Sequence, residues 1–131
     1  MTKILLVEDE AKIAALLGDF LGANGFEHHW VERGDEALAA FNAVAPELVL
    51  LDLNLPGYDG YQVLQQMKQD ERTKRIPVVI LTTTDDSREV AKCYDLGCNV
   101  YITKPVDYAQ FSQAIRKIGL FLSVVTVPNG E

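Results

Sequence analysis

Short apolar runs recur along the chain, separated by longer stretches whose apolar residues fall three and four positions apart. The runs are Ile4–Val7, Leu48–Leu51, Val78–Leu81 and Val100–Ile102, with a weaker one at His28–Val31. Rich in Val, Ile and Leu and without polar alternation, they predict strands covered on both faces. The intervening stretches predict amphipathic helices. Their apolar stripes are Ile13, Leu16, Leu17, Phe20 and Leu21; Ala37, Leu38 and Phe41; Val63, Leu64 and Met67; Val90, Ala91 and Tyr94; and Tyr108, Phe111, Ile115 and Ile118.

Helix ends are marked as well. Asp86 with Glu89 and Asp107 with Gln110 are spaced as capping pairs. Gly97 stands where a left-handed helix stop is expected, and Gly25 and Gly34 are expected in turns. The alternation is (βα)5: an α/β fold with a parallel sheet, helices on both faces and right-handed crossovers. No repeat, low-complexity stretch or linker interrupts it. Only residues 122–131, LSVVTVPNGE, lie outside, as a short apolar strand or tail.

At 131 residues the chain fits one domain, and its 48% apolar content suits a globular core. No apolar run is long enough to span a membrane, and the start MTKILLVEDE does not read as a secretory signal. A cytoplasmic protein with no membrane association is the expectation. The net charge of −7 argues against direct nucleic-acid binding and favours a basic or apolar partner face, or a bound cation. Cys93 and Cys98 form no CxxC pair and read as reduced thiols. His28 and His29, adjacent on a strand, point to opposite faces and make a poor metal pair. Trp30 reads as a partly buried strand aromatic, and KQDERTKR, 68–75, as a solvated helix end and loop.

In an open parallel sheet, ligands bind beyond the carboxyl ends of the strands. Glu8 and Asp9 follow the first run there, Asp52 and then Asn54 the third, Thr82 to Thr84 the fourth, and Lys104 and Pro105 the fifth. Two carboxylates about 4 Å apart repel by roughly 4 kcal/mol at an effective dielectric near 20. Three together call for a divalent cation, and oxygen donors at an open site suit Mg²⁺. Asp52 is ionised at neutral pH and can attack phosphorus directly, giving an aspartyl phosphate. The cation, the Lys104 ammonium and the Thr82 hydroxyl would each take one equatorial oxygen.

The motifs LLVEDE, LLDLNLPGYDG, VVILTTT and YITKPV, in that order, resemble the response-regulator receiver domains of bacterial two-component signalling. The likeness covers about residues 3 to 121, leaving 122–131 as the tail. It implies a flavodoxin-like sheet of order 2-1-3-4-5 and a regulatory phosphoacceptor rather than an enzyme. By the same likeness Asp52 accepts the phosphoryl group from a sensor histidine kinase. Asp9, Asp52 and the Asn54 backbone carbonyl hold Mg²⁺ or Mn²⁺, with Glu8 acting through water. Thr82 and Lys104 bind phosphoryl oxygens, Lys104–Pro105 is a cis peptide, and Thr82 with Tyr101 forms the switch. The surface that responds is the fourth helix, fifth strand and fifth helix.

Two rivals are weaker. A dehalogenase-type phosphatase needs a second Asp where Asn54 stands, so only slow self-dephosphorylation is expected, tuned by Asn54 and Thr84. A flavodoxin-type carrier needs a phosphate loop where the chain has EDE. The second half of the chain is similar to small receivers that partner phytochrome kinases, which implies a stand-alone receiver with a phytochrome-type kinase as candidate partner. Ile118, Phe121, Leu122, Val124, Val125 and Val127 would then form an apolar homodimer contact. The first half looks more like receivers of winged-helix transcription regulators, so an isolated fragment of such a regulator stays open.

Overall fold

The computed structural model describes residues 3–53, 55, 59–82, 86–103 and 113, and from Lys3 to Thr103 five strands and four helices alternate among the described residues. The elements are β1 (Lys3–Val7), α1 (Ala11–Ala23), β2 (Glu27–Val31), α2 (Gly34–Val44), β3 (Leu48–Asp52), α3 (Gly60–Gln69), β4 (Val78–Thr82), α4 (Ser87–Leu96) and β5 (Val100–Thr103). All described strand pairs are parallel, in the order β2-β1-β3-β4-β5. This is the flavodoxin-like order expected. Of the stretch expected as a fifth helix, Gln113 is helical and the other residues lie outside the described set.

Side chains alternate across the sheet, so each inner strand feeds two cores. Leu5, Val7, Val49, Leu51, Val78 and Ile80 point to one face, where they meet Ala37 and Phe41 of α2 and Val63, Leu64 and Met67 of α3. Ile4, Leu6, Leu48, Leu50, Val79 and Leu81 point to the other, against Ala14, Leu17 and Leu21 of α1. Burying each Leu or Ile contributes about 1.5–3 kcal/mol. This two-sided burial explains why β3 and β4 lack polar alternation.

β2 departs from the expectation of a covered strand. It is an edge strand, and its residues Glu27 to Trp30 are exposed. The mixed sequence EHHWV has too few apolar side chains to fill two faces. The stripe on α4 also differs. Cys93 is its buried residue, whereas Ala91 and Tyr94 face outward. Gly34 does not sit in a turn but opens α2, buried as its first residue.

Gly97 and Gly25 do take positive φ, 106° and 83°, at the end of α4 and before β2. The Asp86 carboxylate caps α4 by accepting the Arg88 N–H. Glu89, expected to complete that cap, instead accepts from the Tyr61 hydroxyl at 3.1 Å. A reciprocal capping box does form on α3, between Asp59 and Gln62. Asp107 and Gln110 lie outside the described residues.

The 68–75 segment is less solvated than its charges imply. Lys68 Nζ donates to the Lys74 and Ile76 carbonyls, and burial lowers its pKa. The buried Thr73 hydroxyl donates to the Met67 carbonyl at 2.7 Å. Cys93 and Cys98 are buried thiols with no disulfide, as expected. Among the described residues, no helix is long and apolar enough to cross a membrane.

Candidate functional site

The carboxyl ends of β1, β3 and β4 bring the sequence-expected residues to one edge. Val7 pairs with Leu51, which sets Glu8 level with Asp52 on the neighbouring strand. Asp52 pairs in turn with Leu81, so Thr82 stands one residue further along. Adjacent strands lie about 4.8 Å apart and rise about 3.3 Å per residue. This places Glu8, Asp52 and Thr82 on three consecutive strands within one short span. Thr82 pairs with Thr103, the residue before Lys104.

Glu8, Asp52 and Thr82 are almost wholly buried, while Asp9 and Glu10 are exposed. Buried carboxyl groups need partners; Glu8 Oε2 accepts the Glu10 backbone N–H at 3.1 Å. Tyr101, half-buried, packs against the core on the α2–α3 side. Asn54, Thr84, Lys104, Pro105, Ile118, Phe121, Leu122, Val124, Val125 and Val127 lie outside the described residues.

Carboxylate oxygens of Glu8, Asp9 and Glu10 lie within 4.8 Å of one another. Glu10 was missed at the sequence level, although it completes the EDE run that gave Glu8 and Asp9. An all-oxygen donor set of this crowding fits a hard divalent cation such as Mg²⁺ or Mn²⁺. Two further supports also escaped the sequence reading. Gly60, the first residue of α3, donates its N–H to the Leu53 carbonyl at 2.9 Å and lies against the Asp52 carbonyl. Trp30 Nε1 donates to the Glu8 carbonyl at 2.7 Å. The aromatic spacing in EHHWV carries no signal for that bond, because its partner is 22 residues away.

Residues 4–116 match the family model described as the response regulator receiver domain. The chain belongs to that receiver family. It is 38% identical over 135 residues to the response regulator Rcp1 of Synechocystis sp., covering 95% of this chain and 92% of that protein. The Mn²⁺-bound structure of Rcp1 aligns with a TM-score of 0.78 at 34% identity, over 94% of this chain and 93% of that one. The phosphorylated cyanobacterial phytochrome response regulator RcpA aligns with a TM-score of 0.79 at 40% identity, over 92% of each chain.

This receiver domain is also 34% identical over 125 residues to the phosphate regulon regulator PhoB of Escherichia coli, covering 95% of this chain but 55% of that protein. Likenesses to a phytochrome-associated receiver and to a transcription regulator thus both hold over nearly the whole chain. Receiver domains are the regulatory, response-regulator partners of two-component signalling, and the fold and acidic edge of this chain fit that class.

Proposed function

We propose that the chain is the phosphoacceptor of a His–Asp relay, with Asp52 as the acceptor. The observation that carries this is the register. It sets Asp52 level with Glu8 and one residue short of Thr82, at the carboxyl edge where this sheet type binds ligands. Glu8, Asp9 and Glu10 supply converging acids at the end of the neighbouring strand β1. In the proposed step an Asp52 carboxylate oxygen forms a bond to phosphorus. The bond from phosphorus to the kinase imidazole breaks, and its electron pair returns to that nitrogen. Thr82 and Lys104 bind phosphoryl oxygens. Mg²⁺ or Mn²⁺, held by Asp9, Asp52 and the Asn54 carbonyl with Glu8 acting through water, supplies charge neutralisation when bound.

The burial of Asp52 and Thr82 favours this role. A nucleophile held on a rigid, fully packed strand loses little freedom on reaching the reactive geometry. Phosphorylation adds nearly two negative charges at the edge and draws the Thr82 hydroxyl toward them, and Tyr101 follows into the vacated space. A ligand shifts such an equilibrium only through unequal interaction with its two states, and the phosphoryl oxygens meet Thr82 differently in each. Asn54 and Thr84 set the rate of self-dephosphorylation.

A cytoplasmic receiver partnering a phytochrome-type histidine kinase is the favoured subtype, supported by the likeness to Rcp1 and to the phytochrome response regulator RcpA. The tail from Ile118 to Val127 would serve as a homodimer contact, and light scattering at rising concentration tests it.

The deciding experiment incubates the protein with acetyl phosphate in Mg²⁺ and follows the mass. One phosphoryl adduct is expected on the native chain and none on Asp52→Asn. Equal labelling of the two would overturn the assignment.

A further inference from the structure

We propose that Trp30 is a positioning residue for the cation site, acting through the peptide bond between Glu8 and Asp9. Trp30 lies on the edge strand β2, level with Leu6 of β1. Glu8 is two residues further along, roughly 7 Å down the strand. The indole spans that offset, and Nε1 donates to the Glu8 carbonyl at 2.7 Å. That is a short N–H···O distance. The same Glu8 donates its own N–H to the Val31 carbonyl at 3.1 Å. Both polar atoms of the Glu8 backbone are therefore held by β2, one through the main chain and one through this side chain.

The consequence falls on Asp9. A peptide unit is planar, so fixing the Glu8 carbonyl also fixes the direction of the Asp9 nitrogen and restricts how the Asp9 Cα can turn. Glu8 is fully buried and needs little help, whereas Asp9 is exposed. Its carboxylate nonetheless lies within 4.8 Å of those of Glu8 and Glu10. The indole, itself 38% exposed, has water available as an alternative partner, yet its N–H is directed at this carbonyl. Groups that orient metal ligands from behind change affinity without touching the ion.

The inference rests on the reading of Asp9 as a cation ligand, and the test separates the two. Mg²⁺ uptake is measured by calorimetry on the native chain, Trp30→Phe and Asp9→Asn, with unfolding temperatures recorded in chelator. Phe keeps the ring and removes the donor. Trp30→Phe is expected to bind Mg²⁺ roughly 3- to 10-fold more weakly, and Asp9→Asn to lose measurable uptake. An unchanged Trp30→Phe dissociation constant beside a lost Asp9→Asn signal overturns the role of Trp30 and leaves the site intact. A purely structural Trp30 would lower the unfolding temperature and not the affinity. No uptake by the native chain overturns both. Trp30 is the sole tryptophan of the chain, so its fluorescence gives a second readout that needs no variant. Emission that shifts on saturation with Mg²⁺ supports the coupling, and emission that stays fixed counts against it.

Discussion

Gly60 packs directly against the carbonyl of Asp52. A Cβ built on it would collide with that oxygen and lie 2.5 Å from the Leu53 Cα. Both neighbours are backbone, so neither can swing aside, and the start of α3 is pinned to the strand end that carries Asp52. Gly60→Ala should cost about 1–3 kcal/mol, read as a lower denaturation midpoint in urea. It should also slow Asp52 labelling by displacing the strand end. A variant as stable as the native chain would show that α3 moves freely against β3.

Tyr61 and Glu89 tie α3 to α4, with the hydroxyl donating at 3.1 Å. Lys92 Nζ sits 4.2 Å from the centre of the same ring. Burial, and then the bond to Glu89, push the tyrosine above its ordinary pKa. Since α4 belongs to the proposed responsive surface, this tie should restrain it. A double-mutant cycle of Tyr61→Phe and Glu89→Gln should return a coupling of about 1 kcal/mol, and Lys92→Ala should cost about 0.5–1 kcal/mol. A coupling near zero would mean that α4 is held by packing alone.

Burial pushes the Cys98 thiol up to about 12, with Cys93 adding to the shift. Its ordinary value is 9.0, so between those values the unfolded chain has lost a proton that the folded chain keeps. Fewer protons on the unfolded side means that stability falls as pH rises, by up to about 1.4 kcal/mol per unit for this group. The raised thiol of Cys93 acts in the same direction. Unfolding in denaturant at about pH 8 and about pH 10 should show the loss, and Cys98→Ala should reduce it. A pH-independent midpoint would contradict the burial of these thiols.

Thr73 anchors the charged segment after α3 through its buried hydroxyl. Thr73→Val keeps the shape and removes the donor, leaving the Met67 carbonyl without it at a cost of about 1–3 kcal/mol. Amide exchange over residues 70–76 should accelerate in that variant. Unchanged protection there would return the segment to a merely solvated loop.

The fold was legible where chemistry repeats at short range. Runs such as Leu48–Leu51 and Val78–Leu81 must be strands buried on both faces, because nothing in them tolerates water on either side. The stripe Val63, Leu64, Met67 likewise had one viable orientation, and all three are buried. β2 was harder to read, since EHHWV lacks the apolar content that betrays a covered strand and lies at the edge. On α4 the inward position fell to Cys93, a small apolar residue that a stripe built from Ala91 and Tyr94 overlooks.

Asp52, Thr82, Glu8 and Asp9 were recognisable in the bare chain because each interrupts or follows an apolar run, where a charge or hydroxyl has no packing reason to be. The burial of Asp52, Thr82 and Glu8 was not recognisable, nor was the closeness of Glu10 to Glu8 and Asp9, that of Gly60 to Asp52, or the bond from Trp30 to Glu8. Those depend on strand register and on how helices close over the sheet edge. Trp30 and Glu8 are 22 residues apart, and Tyr61 and Glu89 are 28 apart. Periodicity reports what one segment turns toward the core. Which distant segment it meets there is set only when the whole sheet packs, because backbone donors and acceptors then find partners by position in space rather than by place along the chain.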